Sequence, residues 1–523
     1  MPLWSAAVLA LAAGVAGAPR LRGWLYLLQL EEYLPGRLRA TLWRRWLAAP
    51  RAPVLLAAGG GALAVAAARL PWPATPAAIA AMVAAGSVAW RSPERRGRLR
   101  WTARARRLAA LAGALAVAGV LVAGWVGWPA VVLLGVPDGL ATLALVGASA
   151  VLAPDEARRR RGYLRAASLR LQQVGPVVIG ITGSYGKTST KGHLCTLLDP
   201  GDGSVFATPA SYNTTLGVCR AINDGLGPEH RVAIVEMGAY RPGEIAEICR
   251  LVRPRHGIVT SIGVMHLERF GSRRRIARAK AELFSALPPG GTAVAPSLVA
   301  ERATLTQGLR ARPVWVGAPG DDLWADPVEV TPQGTRFVVR DRDGLTLPLE
   351  AALFGRHTVG NLLCAIAVAR ACGVTWPAIE ARCRHLRPAP HRLQVSTANG
   401  MTIIDDAYNA NPDGAADALE LLAQLPGVRR VLVTPGFIEL GDEQEARMTE
   451  LGRAAAAVCT DIVLVGPHHT RALSRGLDAA GFPRQRCTVV PDLDGAQRAL
   501  PAIAGSGSVV LFENDLPDQY GEP

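Results

Sequence analysis

Two hydrophobic patterns divide the chain. Up to about residue 153, long apolar stretches at 3–18, 53–69, 74–90, 108–127 and 130–153 are separated by short polar segments. Beyond residue 172 the apolar runs shorten to five or so residues, rich in Val and Ile, and alternate with helical stretches. Runs of that length bounded by turn residues predict strands, here 176–182, 231–236, 256–261 and 292–295, joined by helical crossovers into a parallel sheet. The segment 313–350, with "VEVTPQGTRFVVRDRDGLTLPL", alternates with period two and predicts antiparallel hairpins inserted late in that domain. From about residue 386 a second β/α series starts, with strands expected at 401–405, 430–434, 461–466, 487–490 and 507–512. The predicted organisation is an α-helical membrane region over 1–154, a P-loop parallel-sheet α/β domain over 155–385 and a second α/β domain over 386–523.

The first three apolar stretches are short for a membrane span, which needs roughly 20 residues. The connecting segments favour spans all the same. Segment 19–51 carries seven arginines and 91–107 carries eight, whereas 70–73 (LPWP) and 128–129 (WP) are uncharged. With the arginine segments inside, the arrangement alternates: N-terminus out, five crossings, and the chain from Asp155 onward in the cytoplasm. Trp72, Trp125 and Trp128 then lie near the outer interface, and "RGWLYLLQLEEYL" (22–34) lies along the inner one as an amphipathic helix. Three or four spans, and cleavage after the "AGA" that ends the first stretch, remain open alternatives. Asp138 is the single acid within the stretches, too few for an ion relay, so the region reads as an anchor facing lipid and not as a transporter.

Charge supports this placement. The formal charge of +15 would suit nucleic acid, but Met1–Arg107 holds only Glu31, Glu32 and Glu94 against its banked arginines, which suits an anionic cytoplasmic leaflet. No nucleic-acid-binding pattern accompanies the charge. Eight cysteines, all beyond residue 190 and none spaced C-x-x-C, suggest reduced buried thiols in place of a zinc ribbon or a disulfide frame.

The candidate chemistry starts at "PVVIGITGSYGKTSTKGHLCTLL": a β-branched strand, a glycine turn, then a helix opening at Lys187. Backbone N–H groups of such a turn cradle phosphates, the lysine reaches the terminal phosphates and a hydroxyl holds Mg²⁺. Ile181 stands where the strict P-loop spacing has its first glycine. Gly183, Ser184, Gly186, Lys187, Thr188 and Ser189 are the nucleotide-binding candidates of this loop.

The loop, together with motifs that follow it in order, resembles the Mur ligase family, in which ATP drives the joining of a carboxylate to an amine. "IVEMGAYRPGEIAEI" places Glu236 at a strand end, where the resemblance implies a Mg²⁺ ligand beside Thr188. "GVMHLERFGS" supplies His266 as an implied metal ligand, and "AKAELF" supplies Lys280, carbamylated in the family and then a bridge to a second Mg²⁺. "FGRHTVGNLLCAIA" gives His357 and Asn361 near the adenine. "PHRL" resembles a P-G-R-[LM] element with His391 for Gly and leaves Arg392 to reach the phosphates. "IIDDAYNANPDG" is close to the D-D-S-Y-N-A-N-P run of the branch that adds D-alanyl-D-alanine; its Asp406 is implied near the ribose, with Tyr408 and Asn409 shaping the site. "TPASYNTTLGV" leaves Asn213 and Thr214 as substrate candidates. Lys187, Lys280 and His266 are the implied catalytic set, and the domain from 386 resembles the family's Rossmann-like C-terminal domain.

The resemblance also has gaps. The domain that grips the UDP end of a soluble precursor is missing, and the apolar region occupies its place. Thr214 and Thr215 replace Asn and an acid, Thr434-Pro435 replaces a glycine-rich lead-in, and "LFENDLPDQY" (511–520) stands where a basic K-G-S-R-type element is usual. The implied function is a membrane-anchored ATP-dependent carboxylate–amine ligase acting through an acyl phosphate and extending a cell-wall peptide precursor with D-alanyl-D-alanine or a similar amine. Its partners would be a peptidyl or glycopeptide carboxylate, free or lipid-linked, an amino-acid or dipeptide amine, and membrane lipids. It would sit multi-pass in a bacterial cytoplasmic membrane with its catalytic domains inside. Two alternatives stay open: an anchored ligase making another amide, such as poly-γ-glutamate, and a membrane scaffold switched by ATP.

Overall fold

The computed structural model describes residues 21–26, 28–29, 99, 101–126, 139–209, 212–263, 267–331, 333–408, 410–438 and 440–514. The chain divides into two compact units, residues 1–159 and 160–522.

In the first unit the described elements include the helices Ala103–Val126 and the start of Gly139–Val174. Leu25, Leu28, Leu108 and Leu145 form its apolar cluster. The expected spans 3–18, 53–69 and 74–90 lie outside the described residues. Stretch 108–127 falls in the helix Ala103–Val126, and the later part of 130–153 opens the helix Gly139–Val174. Among the described residues no helix is long and apolar enough to cross a membrane. The second of these helices runs on through Pro154 into "DEARRRR", past the boundary expected at 154/155.

The second unit holds two sheets. The nine-stranded sheet has the order β2-β3-β1-β4-β5-β6-β7-β8-β9. Its strands are β1 (Val177–Thr182), β2 (Val205–Ala207), β3 (Val232–Glu236), β4 (His256–Val259), β5 (Thr292–Pro296), β6 (Arg312–Gly317), β7 (Leu323–Thr331), β8 (Gly334–Asp341) and β9 (Thr346–Ala351). β1 to β7 pair in parallel, and β7-β8-β9 form the antiparallel hairpins. One expectation needs correcting: residues 312–317, read as part of the hairpins, form a parallel strand beside β5. The helical turn Arg302–Thr306 lies between β5 and β6, and a crossover of that kind returns the chain in the same direction.

The six-stranded sheet has the order β10-β11-β15-β12-β13-β14. It contains β10 (Gln394–Ala398), β11 (Met401–Asp406), β12 (Arg430–Thr434), β13 (Asp461–Val465), β14 (Cys487–Val490) and β15 (Val509–Glu513), parallel except for β10.

The central parallel strands of both sheets are covered on two faces, which is why they read as continuous apolar runs, whereas the hairpin strands alternate. In β3, Ala233 and Val235 join one core while Ile234 joins the other. In β12, Leu432 faces the helix Pro412–Gln424 cluster and Val431 and Val433 face the opposite layer. Side-chain caps start several helices at loop ends: Thr214 accepts from Gly217 N, Ser272 from Arg275 N, and Asn411 from Gly414 N ahead of Pro412. All eight cysteines are free; five are buried, and Cys195, Cys372 and Cys487 are half-buried.

Candidate active site

Parallel strands converge their C-terminal ends on one edge, and the functional side chains gather there. After β1 the chain turns through residues 183–186 into the helix Lys187–Leu198. Gly186, at φ 77°, lies where a Cβ would sit 2.3 Å from Asn361 Oδ1; at Gly183 a Cβ would meet Thr260 Oγ1 at 1.9 Å. Side chains at either place would push the loop off its neighbours. The loop is pinned from the end of β4: Ser184 N donates to Ser261 O at 3.0 Å, and Tyr185 N donates to Ser261 Oγ at 2.8 Å. Gly263 N in turn donates to Ser184 Oγ at 3.0 Å. Lys187 folds over its own loop, its Nζ donating to Gly183 O at 2.6 Å and Ser184 O at 3.2 Å. Burial lowers its pKa to about 8, opposed by Glu236 and assisted by the positive Arg392.

Glu236, at the end of β3, is the anionic centre of this side and is 3% exposed. Lys191 Nζ sits 3.0 Å from its Oε2, to which Thr188 Oγ1 also donates at 3.2 Å. Asn213 Nδ2 donates to its Oε1 at 3.2 Å. Burial pushes its carboxyl up, but Lys191, Lys187 and the bonds from Lys191 and Asn213 outweigh this and hold it below the usual range. Lys280, on the helix Arg273–Ala286, is buried. Burial and the nearby Lys187 drive its pKa well down, which favours the neutral amine.

The second sheet supplies the opposite wall. A cleft of about 380 Å³ is lined by Gly186, Ser189, His357 and Asn361 on one side and by Arg392, Asp406 and Tyr408 on the other. Arg392 stacks on the Tyr408 ring, its guanidinium carbon 4.7 Å from the ring centre. Its neighbours in "PHRL" take positive φ, 59° at His391 and 44° at Leu393. This is backbone that favours glycine, and here it is held by side-chain bonds. His391 Nδ1 lies 2.7 Å from Asp405 Oδ2, and Leu393 N donates to Asp406 Oδ1 at 3.0 Å. His357 Nδ1 is hydrogen-bonded to Asp417, which also accepts from His357 N at 2.9 Å.

The structure thus brings together the loop residues, Glu236, Asn213, Asn361, His357, Arg392, Asp406 and Tyr408. Thr214 acts as the cap of the helix Thr215–Gly225. His266 and Asn409 lie outside the described residues. Four participants were not picked out from the sequence. Lys191 pairs with Glu236, and Asp417 orients His357. His193 is buried on the cleft, its Nδ1 without a hydrogen-bond partner among the described residues. Glu513 lies against Asp406. A helical repeat of four from Lys187 could have flagged Lys191; the others depend on elements distant in sequence.

Comparison with known proteins agrees with this geometry. Residues 181–369 match the Mur ligase middle domain, and residues 391–513 match the Mur ligase, glutamate ligase domain. The UDP-N-acetylmuramoyl-tripeptide–D-alanyl-D-alanine ligase of Mycobacterium tuberculosis H37Rv is 36% identical over 438 residues, covering 77% of this chain and 83% of that protein. The chain belongs to the Mur ligase family. The enzyme of the same name from Escherichia coli K12 is 36% identical over 310 residues, covering 58% of this chain and 67% of that one. Among solved structures, MurF from Acinetobacter baumannii superposes with a TM-score of 0.61 at 28% identity, covering 68% of this Mur ligase and 77% of that chain. The MurF ligase of Thermotoga maritima in complex with ADP gives 0.60 at 25% identity, covering 68% and 80%. This Mur ligase is accordingly an ATP-dependent, amide-bond-forming enzyme of the MurF-like branch, which sets aside the ATP-switched scaffold.

Proposed function

We propose that this ligase extends a peptidyl or glycopeptide carboxylate of a cell-wall precursor with D-alanyl-D-alanine or a similar amine, through an acyl phosphate. The observation that carries the reading is the single cleft shared by the phosphate loop and by Arg392 and Asp406. The acceptor carboxylate oxygen attacks the γ-phosphorus of ATP, the bond to the β-phosphate oxygen breaks, and ADP leaves. The amine nitrogen then attacks the acyl carbon, loses its proton, and phosphate departs with the former carboxylate oxygen.

Bringing a carboxylate against a triphosphate sets anion on anion, so cations must face both. Lys187, on the phosphate loop's helix, and Arg392, beside the second sheet, supply them. A bound triphosphate raises the proton affinity of Lys187 and keeps it an ammonium. Asp406 and Tyr408 suit the ribose, and His357 and Asn361 suit the base; Asn213 supports Glu236. Thr188 and Glu236 offer the hydroxyl and carboxylate oxygens that suit Mg²⁺, which takes one or two protein ligands and completes its shell with phosphates and water. Among the described residues no cluster of three His, Cys, Asp or Glu groups forms a cage, as such a shared site requires none. When bound, the metal supplies neutralisation of the phosphate charge. The buried Lys280, whose lowered pKa favours the free amine, is chemically suited to carbamylation, and a second Mg²⁺ would have that carbamate and His266 as ligands.

The apolar, arginine-banked region before Asp155 supports anchorage at the cytoplasmic face of a bacterial membrane, where a lipid-linked acceptor would be met at high effective concentration. The test is a product screen by mass spectrometry with full-length protein, ATP, Mg²⁺, and soluble and lipid-linked carboxylates against a panel of amines. D-alanyl-D-alanine incorporation supports the amine assignment, and preferential glutamate incorporation replaces it with a poly-γ-glutamate-type activity. Equal turnover of soluble and lipid-linked acceptors removes the anchoring argument.

A further inference from the structure

Asp406 and Glu513 are register partners at the ends of the neighbouring parallel strands β11 and β15, so their side chains leave the sheet on the same face. Glu513 is 1% exposed, and neither of its carboxyl oxygens meets a hydrogen-bond donor among the described residues. The group in contact with it is the carboxyl of Asp406. Two ionised carboxylates are acceptors only and cannot bond to one another; a single shared proton turns the contact into a short, charge-assisted hydrogen bond.

We infer that Glu513 is a positioning residue that carries a proton and donates it in a hydrogen bond to Asp406, fixing the wall of the nucleotide cleft that bears Arg392. Asp406 lines the cleft, and its Oδ1 accepts from Leu393 N at 3.0 Å, so the carboxyl that receives the proton also ties down the residue next to Arg392. Loss of the proton would leave two adjacent buried anions, and separation of the strand ends would carry the Arg392 loop with it.

The surroundings favour this assignment of charge. Burial pushes the Asp406 carboxyl up as well, but the Leu393 N–H, His357 and Arg392 oppose that shift by favouring its anion, whereas among the described residues no cation acts on Glu513. On the elements packed against β15, β12 ends in Thr434. The helix Pro412–Gln424 carries Asp413, Asp417 and Glu420, of which Asp417 is held by His357 and Glu420 lies 3.9 Å from Arg356. Burial and Asp406 raise the Glu513 carboxyl well above its ordinary range, which agrees with Glu513 as the proton-bearing partner.

The inference rests on the cleft being the nucleotide site, and its test separates the two. Infrared spectra of the full-length protein at neutral pH should show a protonated-carboxyl band that Glu513→Gln lacks, with or without nucleotide. ADP affinity measured by calorimetry should fall by up to about tenfold per pH unit once the pair ionises. Glu513→Gln, whose amide donates the same bond, should bind ADP within about threefold of the parent at neutral pH and show a shallower alkaline fall, the remainder belonging to Lys187, while Glu513→Ala binds about tenfold more weakly. Absence of the band difference, or an identical alkaline fall in the parent and in Glu513→Gln, overturns the inference. A parent that binds no ADP at any pH overturns the nucleotide-site reading, and the infrared difference then decides the pair alone.

Discussion

Glu236 and Glu513 occupy equivalent places, each the last residue of a buried parallel strand and each almost without solvent. Their charge states are opposite. Glu236 meets Lys191, Lys187 and Asn213, and its carboxyl is held below the usual range against the cost of burial. Glu513 meets another carboxyl, and burial together with Asp406 pushes it the other way. Burial alone gives no sign to a strand-end acid; the nearest partner does.

Replacing each acid by its neutral amide probes this contrast most directly. Glu236→Gln should lower amide formation about 100- to 1,000-fold, read as product formed per ATP consumed, because the carboxylate proposed to hold Mg²⁺ is removed. A change of less than about tenfold would mean that Glu236 has no part in the transfer. Lys191→Met keeps the anion and removes its partner. Stranding a buried charge costs about 3 kcal/mol, measurable as a fall in the denaturant midpoint. An unaltered midpoint would show that Lys187 and Asn213 suffice.

Folding stability should separate the two acids by the sign of its pH dependence. Glu236 has a lowered folded pKa, so its contribution is present above the ordinary value of 4.5 and is lost as pH falls through the folded value. Glu513 has a raised folded pKa, so the folded state holds a proton that the unfolded state has released, and stability declines as pH rises from 4.5 toward the folded value. Relative to the parent, Glu513→Gln should therefore gain stability with rising pH, and Glu236→Gln should lose it over the acid range. Parallel stability curves for the parent and Glu513→Gln would refute the sign at β15.

The smallest effect is expected where a partner orients a group instead of charging it. Asp417→Asn should raise the KM for ATP about fivefold, the equivalent of ~1 kcal/mol, with kcat little changed, if His357 positions the base. An equal fall in kcat would place His357 in the chemical step.

Local pattern was enough for the strands and their crossovers. The apolar run 231–236 and the glycine turn 183–186 each state their structure within a few residues, through β-branching and through backbone that only glycine tolerates. The order of motifs likewise named Gly186, Ser189, Arg392 and Asp406, which line one cleft. Segment 312–317 was misread as hairpin because period-two alternation does not encode strand direction; the crossover before it does. His391 shows the limit from the other side. Its positive φ is legible only against the Asp405 that holds it, 14 residues away.

The sequence by itself determined the elements, the phosphate loop and the acids available to the site, since these depend on neighbours within a turn or a strand. Tertiary structure decided which of those acids is charged. The parallel register that sets β15 beside β11 brings Glu513 to Asp406, and the packing of the helix Lys187–Leu198 under β3 brings Lys191 to Glu236. Electrostatic energy in a low-dielectric interior is set by distances of a few ångströms between residues far apart in the chain, and only the fold fixes those distances.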